Sequence, residues 1–365
     1  MKTLVLICGA SRSGTTFLLD LLKGHRQLSV FPTESKLYYH WNRNNLTHSL
    51  GVFFLVEYFK TEEVKSFVDA EYRAKRREYY KNMYDTKSPL DSVVLMNQDR
   101  FKLRFREALA DTGRLGLFDC YNALFCAAKL KRDVIVVKSP MINDLGAYAI
   151  ARGFNERGWN VKCIFMVRDP RFRYLSRKLQ LLDKSWCIKY NRGDVDFVSH
   201  IAFESAFSIN VADVNKRAGI PMATVWYEGL VDHREDVMRR LAQFLEIDFN
   251  GCLLKQKNAP ISTFQKVSDS LNEIEARFYL HTNSAERKII RFLTYQAANA
   301  YGYPIKAVDW ITEWDCVKHM RYENPLDYYK HRKHRILILT DGYEKAFTRL
   351  REQYVNAFLM QGIYG

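Results

Sequence analysis

The segment Gly9-Ala10-Ser11-Arg12-Ser13-Gly14-Thr15-Thr16 carries the strongest chemical signal in the chain. Its glycine spacing is that of loops whose backbone N–H groups cradle a phosphate at a helix N-terminus. A nucleoside-triphosphatase loop places Lys directly after the second glycine, where it reaches the β- and γ-phosphates. Thr15 holds that position here, and Arg12 is the only cation of the loop. Three adjacent phosphates with Mg²⁺ are therefore poorly served, whereas a single 5′-phosphate bearing a less charged group is served well. A second segment, Val167-Arg168-Asp169-Pro170-Arg171-Phe172-Arg173-Tyr174-Leu175-Ser176, sets a guanidinium fork ahead of a hydroxyl. That pair suits a terminal phosphate. Lys138 closes the apolar run 133–138, and His40 adds an imidazole, the usual base near neutral pH.

Short β-rich runs at 3–8, 28–31, 133–138, 161–167 and 222–226 must position these groups. Between them lie helical patterns: an apolar helix through Phe17 to Leu22 that stops near Gly24, one around 144–157, one entered at Pro170, and one over 234–245. Alternating strands and helices predict an α/β fold with a parallel sheet flanked by helices. The run 28–31 ends at Pro32. Residues 40–130 read as a helical, charged and aromatic insertion without a strong strand signal, and 72–84 as an exposed basic helix. Beyond Gly302-Tyr303-Pro304 the composition shifts, and 343–360 turns helical. The expected organisation is one core over 1–304, interrupted by the insertion at about 40–130, with a C-terminal extension over 305–365 packed on it. In a parallel sheet the carboxyl ends of the strands converge on one crevice, which brings Arg12, Glu34, Lys138 and Arg168 together.

The chain has 365 residues, 47% apolar and 27% charged, the profile of a globular protein rather than a disordered or collagenous one. Its net charge of +15 calls for an anionic partner or ligand. No apolar run reaches the ~18–20 residues that span a bilayer. Leu4 to Cys8 is too short for the apolar core of a signal peptide, and Arg12 follows at once, so a cytoplasmic protein is expected. Seven scattered cysteines without a CxxC pair favour thiols in a reducing compartment over a zinc site or disulfide scaffold. Asn45-Leu46-Thr47 matches a glycosylation acceptor, which without secretion has no role.

With both motifs at the ends of consistent strands, the sequence resembles the sulfotransferases that use 3′-phosphoadenosine 5′-phosphosulfate (PAPS). The likeness is to the branch whose P-loop-like loop reads Arg-Ser-Gly-Thr-Thr, which includes many bacterial enzymes and relatives of the carbohydrate sulfotransferases. It implies that Ser11, Arg12, Ser13, Gly14, Thr15 and Thr16 bind the 5′-phosphosulfate, and that Arg168 and Ser176 bind the 3′-phosphate. Val225-Trp226-Tyr227-Glu228-Gly229-Leu230, with Leu245-Glu246-Ile247 after it, resembles the family's Tyr-Glu-Asp-Leu strand and following helix. Ala300-Tyr301-Gly302-Tyr303 resembles its C-terminal Leu-Gly-Tyr signature, and Lys138-Ser139-Pro140 its Lys-Thr/Ser-Pro element. The likeness covers about 1–40 and 132–304.

The implied reaction moves a sulfuryl group from PAPS to a hydroxyl or amine by in-line displacement, leaving 3′,5′-bisphosphoadenosine (PAP) and requiring no metal. The family places a Glu before paired aromatics as the base, and Phe31-Pro32-Thr33-Glu34-Ser35-Lys36-Leu37-Tyr38-Tyr39 resembles that segment. Thr33 stands where the family commonly has Lys. Glu34 is thus the first candidate base and His40 its rival, with Arg12 and Lys138 facing the phosphosulfate. Arginine is no general acid, but a phosphate leaving group needs none. The acceptor could be a glycan, a lipid or a small molecule, and an acidic or sulfated glycan would use the same basic surface as a nucleic acid. A P-loop kinase of a small metabolite is one rival; it is disfavoured by Thr15 and by a strand that ends in Lys138 instead of Asp. A non-enzymatic nucleic-acid binder is the other, resting on the net charge and the clusters at 72–81 and 328–335. No named nucleic-acid module is present, so nucleic acid is not the expected partner.

Overall fold

The computed structural model describes residues 1–10, 12–34, 95–96, 103–104, 107, 121–122, 125–126, 128–138, 151, 153–182, 219–255, 271–303 and 305. Among these, five strands form one sheet: β1 (Thr3–Gly9), β2 (Leu28–Glu34), β5 (Val134–Lys138), β6 (Asn160–Val167) and β7 (Met222–Trp226). Their order across the sheet is β2-β5-β1-β6-β7, and every pairing is parallel. Two short strands, β3 (Leu95–Met96) and β4 (Ala128–Lys129), pair antiparallel in a separate ribbon, where the sequence pattern gave no strand. Two residues per strand are too few to leave an alternation that a pattern can register. The exposed basic helix at 72–84, the basic cluster at 328–335 and the helix at 343–360 lie outside the described residues, as does most of the insertion. Of the helix expected around 144–157, Ala151 and residues 153–155 are described and helical.

Central position explains the composition of β1. Leu4, Val5, Leu6 and Ile7 are wholly buried because helices cover both faces of a parallel sheet. On one face α1 (Thr15–Leu22) brings Leu18, Leu19, Leu21 and Leu22 against Val5, Ile7 and Val136. Helices α3 (Tyr227–Asp232) and α4 (Arg234–Leu245) complete that layer through Leu230, Met238, Leu241 and Leu245. Each such side chain contributes roughly 1.5–3 kcal/mol when fully buried. Helix α2 (Pro170–Leu182) follows β6 and packs against α5 (Leu271–His281) and α6 (Ser284–Ala300).

The register sets which residues share the carboxyl edge. Ile7 pairs with Lys138, Lys138 with Glu34, Gly9 with Met166 and Val167 with Trp226. β2 runs through Pro32, although the sequence ends it there. It is the outer strand next to β5, and its pairing shifts between Val30 and Glu34. An edge strand with a bulge tolerates a residue that lacks an N–H. The extension matters because it carries the Glu34 backbone alongside Lys138.

Two local devices hold this layer in place. At the start of α1, Gly14 has φ 96, and a Cβ built on it would lie 2.4 Å from Cδ2 of the Tyr227 ring. Past its end, His25 is fully buried; its Nδ1 accepts from the N–H of Gln27 (3.3 Å), so Nε2 carries the proton and donates to the Asp248 carbonyl (2.8 Å). Burial lowers the His25 pKa below its ordinary 6.5, against the opposing pull of the Asp248 carbonyl bond. The fold therefore holds the neutral ring, while the unfolded chain takes up a proton as pH falls through 6.5. Stability contributed by His25 is complete above that pH and lost below it. Urea midpoints measured between pH 7.5 and about 5 should fall with acidification, and His25→Gln should flatten that part of the fall. For the glycine, Gly158 provides a matched control: its φ is 74, but nothing lies within 4 Å of a built Cβ. Gly158→Ala should cost about 1 kcal/mol from backbone conformation alone. Gly14→Ala should cost a further ~1–3 kcal/mol because the ring must move, as read from chemical denaturation.

Candidate active site

The loop between β1 and α1 takes its shape from three left-handed positions. Gly9 has φ 139, Arg12 φ 67 and Gly14 φ 96. Only Gly fits at 9, because a Cβ there would stand 2.5 Å from the Met166 carbonyl oxygen on β6. The loop thus lies directly against the neighbouring strand. Gly14 is the N-cap of α1 and supplies no capping side chain, which leaves first-turn N–H groups for another acceptor. Ser13 is buried, and its Oγ has no hydrogen-bond partner among the described residues. Thr15 is buried in the first turn, and Thr16 Oγ1 accepts a bond from Lys138 Nζ at 2.8 Å. Ser11 lies outside the described residues.

The second motif meets the first directly. Asp169 is the N-cap of α2: its Oδ1 accepts from the Arg171 N–H (2.8 Å), and Pro170 fills the first helical position. The Asp169 carboxylate also holds the Arg171 guanidinium through two nitrogens, at 3.0 and 2.5 Å. This cap fixes the exit of β6 and so the start of α2. Ser176 then faces the loop, where its Oγ accepts from Arg12 Nε (3.1 Å) and Nη2 (2.8 Å). Arg168 Nη1 donates to the Arg12 carbonyl (3.2 Å), and its guanidinium lies 4.1 Å above the Tyr227 ring. Arg168 Nε is buried without a partner among the described residues. Arg12, Ser13, Gly14, Arg168 and Ser176 therefore form one contiguous cluster at the junction of β1 and β6. That junction is where the chain's crossovers diverge to opposite sides of the sheet, the place where open α/β sheets bind ligands.

Lys138 sits at the same edge, on the first turn of α1. Glu34 shares its register, so the two backbones are neighbours on adjacent strands. The Glu34 side chain and all of His40 lie outside what is described.

Three residues of this neighbourhood were visible in the sequence only as family echoes without a role. Tyr227 and Glu228 belong to the first turn of α3 rather than to a strand, since β7 ends at Trp226. The Tyr227 ring packs edge-on to Phe17 (6.0 Å between centroids) and closes over Gly14. Glu228 Oε1 accepts from the Asp169 N–H (3.0 Å) and Oε2 from the Tyr303 hydroxyl (2.6 Å). Burial raises the Glu228 pKa, opposed by the Tyr303 bond, the Arg168 charge and the Asp169 N–H. Burial, reinforced by the Glu228 charge, raises the Tyr303 pKa far beyond the usual phenol range, so its hydroxyl remains a donor. The site is consequently cationic on the side of Arg12, Arg168 and Lys138, with acidic groups set behind it. Such an arrangement can hold an anion with charges at two separated points.

Among the described residues no cluster has the composition of a metal site, and no helix is long and apolar enough to cross a membrane. None of the curated protein sequences matches the chain. Solved structures with some likeness include the sulfotransferase domain of the Synechococcus PCC 7002 olefin synthase (16% identity, TM-score 0.42, 89% of this chain and 96% of that one). Another is the sulfotransferase domain from the curacin biosynthetic pathway (18% identity, TM-score 0.39, 84% and 99%). A sulfotransferase of Mycobacterium avium is a third (13% identity, TM-score 0.35, 83% and 78%). The sequence profile described as the sulfotransferase family matches residues 5–251, well over half of the chain, from within β1 to beyond the end of α4. On that match, the chain belongs to the sulfotransferase family.

Proposed function

We propose that the chain transfers the sulfuryl group of PAPS to a hydroxyl or amine of an acceptor. The observation that carries this reading is the junction of the loop and α2, where Arg12 meets Ser176 and two buried donors, Ser13 Oγ and Arg168 Nε, point to an acceptor outside the described protein. Buried donors left without acceptors cost about 1–3 kcal/mol each, and a doubly phosphorylated nucleotide supplies the acceptors. The 5′ end is assigned to the loop: the N–H groups at the start of α1 with Ser11, Arg12, Ser13, Gly14, Thr15 and Thr16. The 3′-phosphate is assigned to Arg168 and Ser176. The closeness of Arg12 to Ser176 supports one compact ligand bridging both.

PAPS supplies the sulfur already activated as a mixed anhydride with phosphate. The protein's task is then to orient, to offset charge and to move one proton. Arg12 and Lys138 offset the negative charge that grows on the phosphate side, from fixed positions at the mouth of the crevice. Glu34 takes the acceptor's proton; its backbone register beside Lys138 supports that role, and His40 is the alternative base. The three cations do the work that a divalent metal does at a triphosphate, so no metal is required. A hydroxyl or amine on a glycan, a lipid or a small molecule fits the chemistry equally. Residues 1–304 form the catalytic unit in this reading and 305–365 an extension on it. The cysteine usage supports a reducing compartment, the cytoplasm.

Calorimetry tests the donor assignment. PAP should bind tightly without metal, and ADP with Mg²⁺ should bind at least tenfold more weakly; the reverse order would move the chain to the kinases. Glu34→Gln should leave PAP affinity intact while turnover of PAPS falls by about 10²–10⁴-fold. Near-normal turnover would transfer the proton-accepting role to His40.

A further inference from the structure

We propose that Glu228 and Tyr303 form a latch that positions Arg168 in the donor site, so that the turn after α6 controls affinity for the 3′-phosphate. This rests on the reading of Arg168 as the 3′-phosphate ligand. The geometry starts at the end of α6. Gly302 has φ 80, its N–H bonds to the Asn299 carbonyl (2.9 Å), and the Tyr303 N–H bonds to the Ala298 carbonyl (2.9 Å). Those two bonds with a left-handed Gly define a Schellman cap, which reverses the chain sharply at the helix end. The reversal puts Tyr303 against the end of the sheet. A neighbouring bond, from Trp226 Nε1 to the Tyr301 carbonyl (3.1 Å), ties the same turn to the end of β7.

Tyr303 then donates to Glu228 Oε2, and Glu228 Oε1 receives the N–H of Asp169, the residue that follows Arg168. Asp169 is 1% exposed and caps α2, so the peptide between Arg168 and Asp169 cannot shift without breaking the cap, the Arg171 clamp and the Glu228 bond together. From that fixed peptide the Arg168 side chain spans to the Arg12 carbonyl and the Tyr227 ring. Neighbouring Tyr227 and Glu228 on α3 thus hold Arg168 from two sides, the ring under the guanidinium and the carboxylate behind the peptide. Tyr303 holds Glu228 in turn. Its hydroxyl bonds to Glu228 and, among the described residues, to no residue of the loop, so it reaches the nucleotide through the Arg168 side.

The test compares two nucleotides on the full chain. Tyr303→Phe removes one hydroxyl and keeps the ring. By calorimetry it should weaken PAP binding about five- to tenfold, the scale of one lost hydrogen bond, and leave 5′-AMP, which lacks the 3′-phosphate, within twofold of wild type. General loosening of the fold would weaken both nucleotides alike, and that result would overturn the latch. Unchanged PAP affinity in Tyr303→Phe would overturn it too, while leaving the donor assignment standing. In a Glu228→Ala background the Tyr303→Phe change should have no further effect on PAP; an additive loss would show that Tyr303 acts elsewhere. Failure of the wild-type chain to bind PAP at all would remove the donor assignment and the latch with it.

Discussion

The approach of Gly9 to the Met166 carbonyl is the constraint on which the site depends. A Cβ at position 9 would need to occupy space 2.5 Å from a backbone oxygen that cannot yield without disturbing the central pair of strands. Because that space is empty of side chain, the loop after β1 lies flat against β6 instead of arching away from it. Everything else at the junction follows from this contact. The Arg12 carbonyl comes within reach of Arg168, the Arg12 guanidinium comes within reach of Ser176, and the start of α1 faces the start of α2. Two sequence segments separated by 164 positions become one surface, and neither segment alone has the groups to grip a ligand charged at both ends.

That surface holds an unusual concentration of like charge. Arg12 and Arg168 meet through a guanidinium–carbonyl bond, and Lys138, at the end of β5, reaches Thr16 in the first turn of α1. Proteins offset such a concentration with counter-charges, and here the acids are set behind it. Asp169 is spent on Arg171 and the α2 cap, while Glu228 is spent on a backbone N–H and a phenol. Neither carboxylate makes a direct hydrogen bond to the cations at the front among the described residues. Arg12, Arg168 and Lys138 are thereby gathered at the carboxyl edge of the sheet. The net charge of +15 read from composition therefore understates the point: what counts chemically is the placement of three cations at one strand edge.

The sheet was legible because burial on both faces forces continuous β-branched and aliphatic runs, as in Val134–Lys138 and Asn160–Val167. The loop and the Arg168 motif stand out in the sequence by their glycine spacing and their guanidinium and hydroxyl groups, and the structure brings the two segments together through Arg12 and Ser176. Other parts were hidden for identifiable reasons. Pro32 reads as a strand end, and only its place on an outer strand with a shifted register makes it acceptable. The ribbon of β3 and β4 is too short for any period. The strand ends at Trp226 as the pattern has it, but only the structure shows that Tyr227 and Glu228 open a helix directly after it. The pairing of Glu228 with Tyr303 joins positions 75 apart, and no local pattern encodes a contact at that distance. What the sequence does contain is the Gly of the Schellman cap, whose purpose becomes clear only once the partner of the following tyrosine is known.

The same residues that suit a ligand burden the fold. A non-glycine residue in the left-handed region, Arg12, costs about 1–3 kcal/mol, and the buried Ser13 hydroxyl, without a partner among the described residues, costs about as much again. Against a typical net stability of about 5–15 kcal/mol this is a sizeable fraction, so the loop cannot support itself. Support comes from the element it leads into. Leu18, Leu19, Leu21 and Leu22 follow within two turns and are all buried against the sheet, at roughly 1.5–3 kcal/mol each. A short, strongly anchored helix directly after a strained loop is therefore a physical requirement: the anchor holds the N–H groups and Ser13 in an arrangement that the loop residues would abandon in isolation. Any ligand that satisfies those donors recovers part of the cost on binding, which couples occupancy of the site to stability of the layer formed by α1, α3 and α4.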